Sequence, residues 1–408
     1  MAANWPTSWP PPETELHTFD PNGDVLFILS RWPPSNDDDD ASSDGEYDDD
    51  SEYSSSDEDE EVMNPEQLSD PGAKLLTEDS GTIGAHQVSQ TDTTTESVLQ
   101  TIHMRASSRH LMLASPTFLS MLSPGYKEGG ILQAQGSVVI PLPDDDPDAL
   151  IILLNIIHGK TRLVPREVDL QTLAELATLV DYYHMQETVE LWSDLWIEKV
   201  DLEVGLHSQL HADGYEYEFS QADTLKRLFI SWVFQKAAAF KKLSRDIEYM
   251  GTEELCWEDR SDYEVDLEDL EKLPIPLPIL NAINAKRAAA IKKAVSIIRD
   301  LVQKYTQTTV RCPYGGFKCD ATVLGSIIKN AATVWLWPPP EETYDGSFID
   351  LTDAIRDIKI VTSCSQVEGQ PKFEHGVDSF IEASLLSIED DLCGLDIEDF
   401  IPKDRVRL

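Results

Sequence analysis

Basic side chains are scarce in this 408-residue chain: 32 Lys and Arg stand against 75 Asp and Glu, a formal net charge of −43. A surface that negative repels phosphodiester backbones and anionic headgroups, so neither nucleic-acid nor membrane binding is expected. Long apolar runs are missing as well. The longest, 149–157, is nine residues and contains Asn155, whereas a bilayer span needs about 20. No basic stretch followed by an apolar one opens the chain, so no secretory leader is expected. Cysteine is sparse: Cys256, Cys312, Cys319, Cys364 and Cys393 are too scattered for a disulfide scaffold. These absences point to an intracellular protein, of cytoplasm or nucleus. Catalytic signatures are missing too. There is no GxGxxG opening a helix after a strand, no GxxxxGK[ST], no HExxH and no GxSxG. The nine histidines are dispersed, and no enzyme activity is expected.

What is abundant is acid, unevenly placed. Residues 37–61 hold 15 Asp or Glu in 25 positions and no Lys or Arg. Over 32–97 there are 21 acidic residues against Lys74 alone. Such a segment cannot bury enough apolar surface to offset the entropy of ordering, so a disordered insertion is expected. Ser54, Ser55 and Ser56 each have an acid three residues on, the context an acidophilic kinase reads. The flanks differ. Asp24-Val-Leu-Phe-Ile-Leu-Ser follows the turn signal Asp20-Pro-Asn-Gly23, and Val98-Leu-Gln-Thr-Ile-His-Met104 alternates like a half-buried strand. The two are expected to pair across the insertion, because loop-closure entropy grows only with the logarithm of length.

Beyond it, Ser107-Ser108 can cap a helix over 109–113, and Ser115-Pro116 can start another that carries Phe118, Leu119, Met121 and Leu122. Gly125 and Gly129-Gly130 are expected to break it. Residues 137–141 read as a strand. Asp144-Asp-Asp-Pro147 opens a nearly all-apolar helix, 148–158. Two amphipathic helices follow, with Leu170, Leu173, Leu176, Val180 and Tyr183 on one face and Val189, Trp192, Trp196 and Val200 on the next. Strand, strand, short helices, strand and helices make an α+β unit.

The blocks Asp24–Leu29, Ala106–Leu122 (around His110-Leu-Met-Leu-Ala-Ser-Pro-Thr-Phe), Val139–Asp146, Leu150–Gly159 and Leu179-Val-Asp-Tyr-Tyr183 resemble the BTB/POZ domain, in the variant common in filamentous-fungal proteins. The resemblance covers 19–200. It implies a BTB/POZ-like N-terminal domain, a small sheet with clustered helices, followed by a mainly α-helical C-terminal domain. It further implies protein partners: an adaptor on a cullin-type ubiquitin ligase scaffold, a transcriptional co-regulator, or a homodimer. The alternative is an acidic-tract binder of basic proteins such as histones. The expected layout is a disordered 1–18, the domain at 19–200 with its insertion at 32–97, a helical region at 201–362, and a mostly irregular acidic tail at 363–408.

In the second half, Leu225, Leu228, Phe229, Trp232, Val233, Lys236 and Phe240 fall on one helical face. A polar break at 253–272 precedes Pro274, Pro276 and Pro278; Asn281 can then cap a long helix to Tyr305, with further helices at 321–334 and 347–360. Seven basic residues between 281 and 311 (Lys286, Arg287, Lys292, Lys293, Arg299, Lys304, Arg311) read as a solvated outer face. Cys312-Pro-Tyr-Gly-Gly-Phe-Lys-Cys319 is the one metal-like spacing, and Cys364 and His375 are the nearest candidates to complete a structural zinc site. Reduced buried cysteines or a disulfide are the other readings of the same residues.

Overall fold

The computed structural model describes residues 15–31, 100–202, 220–252, 273–339, 344, 346–364 and 375–401. The acidic insertion with its serines, residues 1–14, the break at 253–272 and the last seven residues lie outside them. The chain divides into two units, Met1–Arg31 with Thr101–Leu408, and Trp32–Gln100. Among the described residues the strands and helices belong to the first unit, with Gln100 opening one strand.

Four strands form one sheet: β1 (Glu15–Thr18), β2 (Val25–Arg31), β3 (Gln100–Ala106) and β4 (Val138–Pro141), in the order β1-β3-β2-β4. β2 is central and apolar: Val25, Leu26, Phe27 and Leu29 are wholly buried, as suits a strand covered on both faces. It runs parallel to β4, Val25 opposite Val138 and Ile28 opposite Pro141. Proline is tolerated there because β4 is an edge. β3 lies on the other side of β2, so the strands that flank the insertion are hydrogen-bonded neighbours. The Asp20–Gly23 turn closes as its residues suggest, with Gly23 N–H on the Asp20 carbonyl and Asn22 N–H on the Asp20 carboxylate. β1 corrects the expectation of a disordered 1–18: Glu15–Thr18 pair parallel with β3. Four polar-rich residues carry little hydrophobic signal, and backbone pairing with the sheet edge fixes them.

Short helices follow β3: α1 (Ser108–Ala114), α2 (Pro116–Met121) and α3 (Lys127–Gln135). Ser115 caps α2, accepting from Phe118 N–H, with Pro116 in the first turn. Ser107 sits at the start of α1 without a side-chain cap. Instead Ser108 donates both its N–H and its hydroxyl to the Asp24 carboxylate, each at 2.7 Å, tying α1 to the start of β2. α3 overturns the reading of Gly129-Gly130 as a helix breaker. A Cβ at Gly129 would overlap the Ser123 carbonyl, so glycine lets α3 press against the turn behind it.

β4 leads to α4 (Pro147–Ile157), capped by Asp146, then α5 (Leu170–Tyr183), capped by Asp169, and α6 (Gln186–Val200). The single face expected from Leu225 to Phe240 is two helices, α7 (Gln221–Val233) and α8 (Ala237–Met250). The chain turns between them at Gln235, whose φ is +53°. The long helix α9 (Leu277–Thr306) starts at Pro276, before the expected Asn281 cap, because prolines fit a first turn. α10 (Gly316–Thr333) and α11 (Phe348–Arg356) are followed by α12 (Val377–Asp391) and a 3-10 turn, Ile397–Asp399. Among the described residues of the tail expected to be mostly irregular at 363–408, this helix and turn are regular instead. Val377, Ile381, Leu385 and Ile388 line the buried side of α12, a helical period carried among many acids.

Two cores result, and they do not divide at residue 200. The first runs from Phe19 through the sheet and α1–α8 to Ile283 in α9, and takes in Leu395 and Ile397. The second begins at Ala290, further along the same helix, and joins α9 to α10, α11 and α12. α9 is thus shared by both. Of its cations, Lys292, Lys293 and Arg299 are exposed, Lys286 and Lys304 are half-exposed, and Arg287 alone leaves the solvated face expected; several also have protein partners. Arg287 is buried and donates to the Thr252 carbonyl, Lys293 meets Asp391 at 2.6 Å, and Lys304 lies over the Phe380 ring. Lys286 bonds the Gly394 carbonyl at 2.7 Å and stands 3.4 Å from the wholly buried Glu248. No helix among the described residues is long and apolar enough to cross a membrane.

Two histidines, His158 and His103, are expected to make the first core pH-sensitive. His158 Nε2 accepts the Ser107 N–H at 3.0 Å, and Nδ1 faces the Leu154 carbonyl at 2.8 Å. Burial, with His110 and Lys160 nearby, holds it below the usual imidazole range, against opposing pulls from the Leu154 carbonyl and Asp20. Buried His103 is lowered for the same first reason. A depressed histidine binds protons more readily unfolded, so stability is full above the ordinary imidazole pKa of about 6.5 and is lost as pH falls through the folded value. Denaturation midpoints at pH 7.5 and 5.5 should drop for the native chain, and drop less for His158→Gln. Equal drops in both would show that His158 does not carry the effect.

Candidate metal centre

The end of α9 and the start of α10 are joined by a tight turn that holds two of the thiols. Arg311 and Cys312 both donate backbone N–H groups to the buried Asp320 carboxylate, at 2.6 and 3.1 Å. That clamp fixes Cys312 before the helix. Gly315 N–H then points at Cys312 Sγ, 3.1 Å away. Two glycines are needed here. A Cβ on Gly315 would collide with the Cys319 Cβ, and Gly316 has φ +55°. The six residues between the cysteines, too many for an ordinary knuckle, become a turn plus the first winding of α10, which swings Cys319 back beside Cys312.

Cys364 comes from the segment after α11, and His375 directly precedes Gly376, whose φ of +64° starts α12. His375 Nε2 lies 3.4 Å from both Cys319 Sγ and Cys364 Sγ. All four donor atoms fall within 4.8 Å of one another. A tetrahedral ion with bonds of about 2.3 Å to sulfur and about 2.0–2.1 Å to nitrogen separates its sulfurs by about 3.8 Å, and sulfur from nitrogen by about 3.6 Å. The cluster fits that size.

Cys312, Cys319 and Cys364 are buried with thiols free of disulfide, which sets the disulfide reading aside in this state. Two of them, Cys319 and Cys364, are shifted in opposite directions. Burial pushes the Cys319 thiol up, but hydrogen bonds from Cys364 and Ser363 outweigh it and bring it below the usual thiol range. Cys364 is raised by burial and by bonding to Cys319 and Cys312. Burial lowers His375, with Asp320 opposing, and so favours the neutral ring that can ligate. The donor set is sulfur and imidazole, with the nearby Asp320 carboxylate taken up by backbone N–H groups. Such a set suits a borderline-soft ion, and four protein donors complete a tetrahedron with no position left for a reacting water.

The structure thus gathers all four residues singled out in the sequence, from three separate stretches of chain. What sequence reasoning missed is the support: Asp320, which positions the Cys312 backbone, and Gly315, which makes room. Asp320 lay one residue beyond the second cysteine, but an acid there carries no signal until the turn is known.

A second feature concerns surface. The sequence did not separate core from outer face on the apolar helices of the first half. In α1 Leu111 is buried while Leu113 is 88% exposed, and in α6 Trp196 is buried while Leu191 is 80% exposed. Phe118 and Tyr183 turn inward, their neighbours Leu119 and Tyr182 outward. Thr188 of α6 donates to the Ala114 carbonyl at the end of α1, so these two helices touch.

Comparison with protein-family models, with curated proteins and with solved structures finds no match to this chain.

Proposed function

We propose that the chain is a non-enzymatic protein–protein interaction module of BTB/POZ type, with a structural zinc ion held by Cys312, Cys319, Cys364 and His375. The observation that carries the first part is the element order. Two strands that are neighbours across a long insertion lead into short helices, then a third strand that returns parallel to the first, then three helices. That order agrees with the resemblance of residues 19–200. Exposed Leu113, Leu119, Tyr182 and Leu191 supply the apolar side chains from which docking anchors are drawn. The zinc part is supported by donor chemistry and by the compactness of the four-donor cluster.

The interaction reading commits to self-association or to cullin docking. Sedimentation of the purified chain, alone and with a cullin amino-terminal domain, should give a complex of micromolar affinity or tighter in at least one case. Leu113→Asp with Leu191→Asp should weaken it at least tenfold without moving the denaturation midpoint, since both side chains already face water. A chain that stays monomeric and ignores the cullin domain defeats the reading. Zinc analysis of the same preparation should find one ion per chain.

A further inference from the structure

The metal ligands lie on α10 and on the connections between helices of the second core, where the three cysteines form a small cluster of their own. Cys312 and Cys319 flank the start of α10, Cys364 follows α11, and His375 precedes α12. None lies on the sheet or on α1–α8. The cluster therefore links three of the four helices of the second core: Cys319 lies in the first turn of α10, and Cys312, Cys364 and His375 lie on the chain that connects the helices.

The last of these helices is held in an unusual way. α12 has 15 residues, close to the length at which an isolated helix is marginal in water. Its beginning is next to the metal through His375. Its far end, about 22 Å along the axis, is fastened to the first core. There Leu392 gives its carbonyl to Arg245 Nε at 2.9 Å, Gly394 N–H meets Glu248 at 3.2 Å, and Leu395 N–H meets Ser244 Oγ at 2.8 Å. Leu395 and Ile397 then fill the first core. Gly394 has φ +76°, and a Cβ there would overlap the Lys241 carbonyl, so this fastening is tightly fitted. Between the ends, α12 lays a narrow apolar stripe on α9 and α11, with partly exposed contacts beside it. Arg356 of α11 meets Glu382 at 3.2 Å and Glu389 at 2.7 Å, Tyr249 donates to Glu389, Lys293 meets Asp391 and Lys304 lies over Phe380.

We infer that the metal is a folding cofactor for the second core alone, and that it sets whether segment 375–401 stays docked as a strap joining the two cores. This rests on the zinc reading proposed for the four-donor cluster. Without the ion, the three buried thiols and the imidazole are left with weak hydrogen bonds among themselves across the segments, and α12 keeps its stripe, its partly exposed ion pairs and its far fastening. The sheet and α1–α6 keep all their contacts. Metal supply then acts on one half of the molecule, and through Leu395 and Ile397 it reaches the edge of the other.

Amide hydrogen exchange on the full chain, zinc-loaded and after stripping with a chelator, tests this. Exchange should quicken at least tenfold in 312–320 and in α12, and measurably at 394–397, with β2, β4 and α5 unchanged. His375→Ala should reproduce the stripped pattern, whereas His375→Cys, which keeps four donors, should retain both zinc and slow exchange. If zinc leaves and α12 exchanges within twofold of its former rate, the inference is wrong while the zinc reading stands. Equal quickening in β2 and α5 also overturns it. A purified chain with well under one zinc overturns both.

Discussion

Phe118→Ala is expected to destabilise the chain by about 3–5 kcal/mol, the cost of deleting a buried aromatic ring and leaving its cavity. Phe118 is wholly buried beneath the sheet. Its ring stacks on Tyr183 with centroids 4.5 Å apart and leans on Phe27 of β2 at 5.7 Å. Tyr183 is itself fixed: its hydroxyl donates to Asp145, and its carbonyl accepts from Ser115 at 2.6 Å. Neighbours held this firmly cannot close the gap, so the upper part of the range applies. A loss of that size is a large part of the roughly 5–15 kcal/mol that keeps a domain folded. Leu119→Ala is the matched control, half-exposed one residue along the same helix, and should cost under about 1 kcal/mol. Urea denaturation of both variants decides it. Similar losses in the two would mean that the ring is not where the core is most tightly packed.

The second large effect is Cys319→Ser. Structural zinc contributes about 10–16 kcal/mol of apparent binding free energy in small domains, shared among four ligands. Removing one thiolate leaves three donors, and a serine hydroxyl is a poor substitute at neutral pH. Zinc affinity should fall by several orders of magnitude, and stoichiometric metal should be lost on dialysis. Cys393→Ser, at an exposed thiol outside the cluster, should keep one zinc per chain. Asp320→Asn lies between the two. It keeps the side chain's size but weakens the clamp on Arg311 and Cys312, a supporting role whose loss typically lowers metal affinity about 10–100-fold. A Cys319→Ser chain that retains full zinc would remove that residue from the site.

Parts of this arrangement were plain in the residues and parts were not. β2 declared itself because Val-Leu-Phe-Ile-Leu is bounded by a turn and suited to burial on both faces. α4 and α5 declared themselves because Asp146 and Asp169 cap regular apolar periods. α3 stayed hidden because Gly129-Gly130 argues locally against a helix, and only the packed turn at Ser123 reveals why glycine is wanted. α12 stayed hidden because Asp378, Glu382 and Glu389 lie among its apolar positions, and a chain this acidic makes such acids look like tail. The partners of Lys293 and Lys286 in α9, Asp391 and Gly394, were not legible because they come about a hundred residues later. For the metal centre, the residue types were legible and the closure was not. Spacing pairs Cys312 with Cys319, whereas Cys364 and His375 arrive only through the packing of α11 and α12.

The sheet order has a consequence for the order in which the protein is made. β2 leaves the ribosome before both of its hydrogen-bonding neighbours, β3 and β4, which are encoded beyond the acidic stretch. At about 5–20 residues per second, the 70 or so residues between β2 and β3 take roughly 3–14 seconds to synthesise. For that interval a strongly apolar strand has no partner, a condition that invites aggregation between nascent chains. The residues that emerge straight after it are the most negatively charged in the protein. Growing chains on one messenger would therefore repel one another during the very seconds in which their central strands stand uncovered.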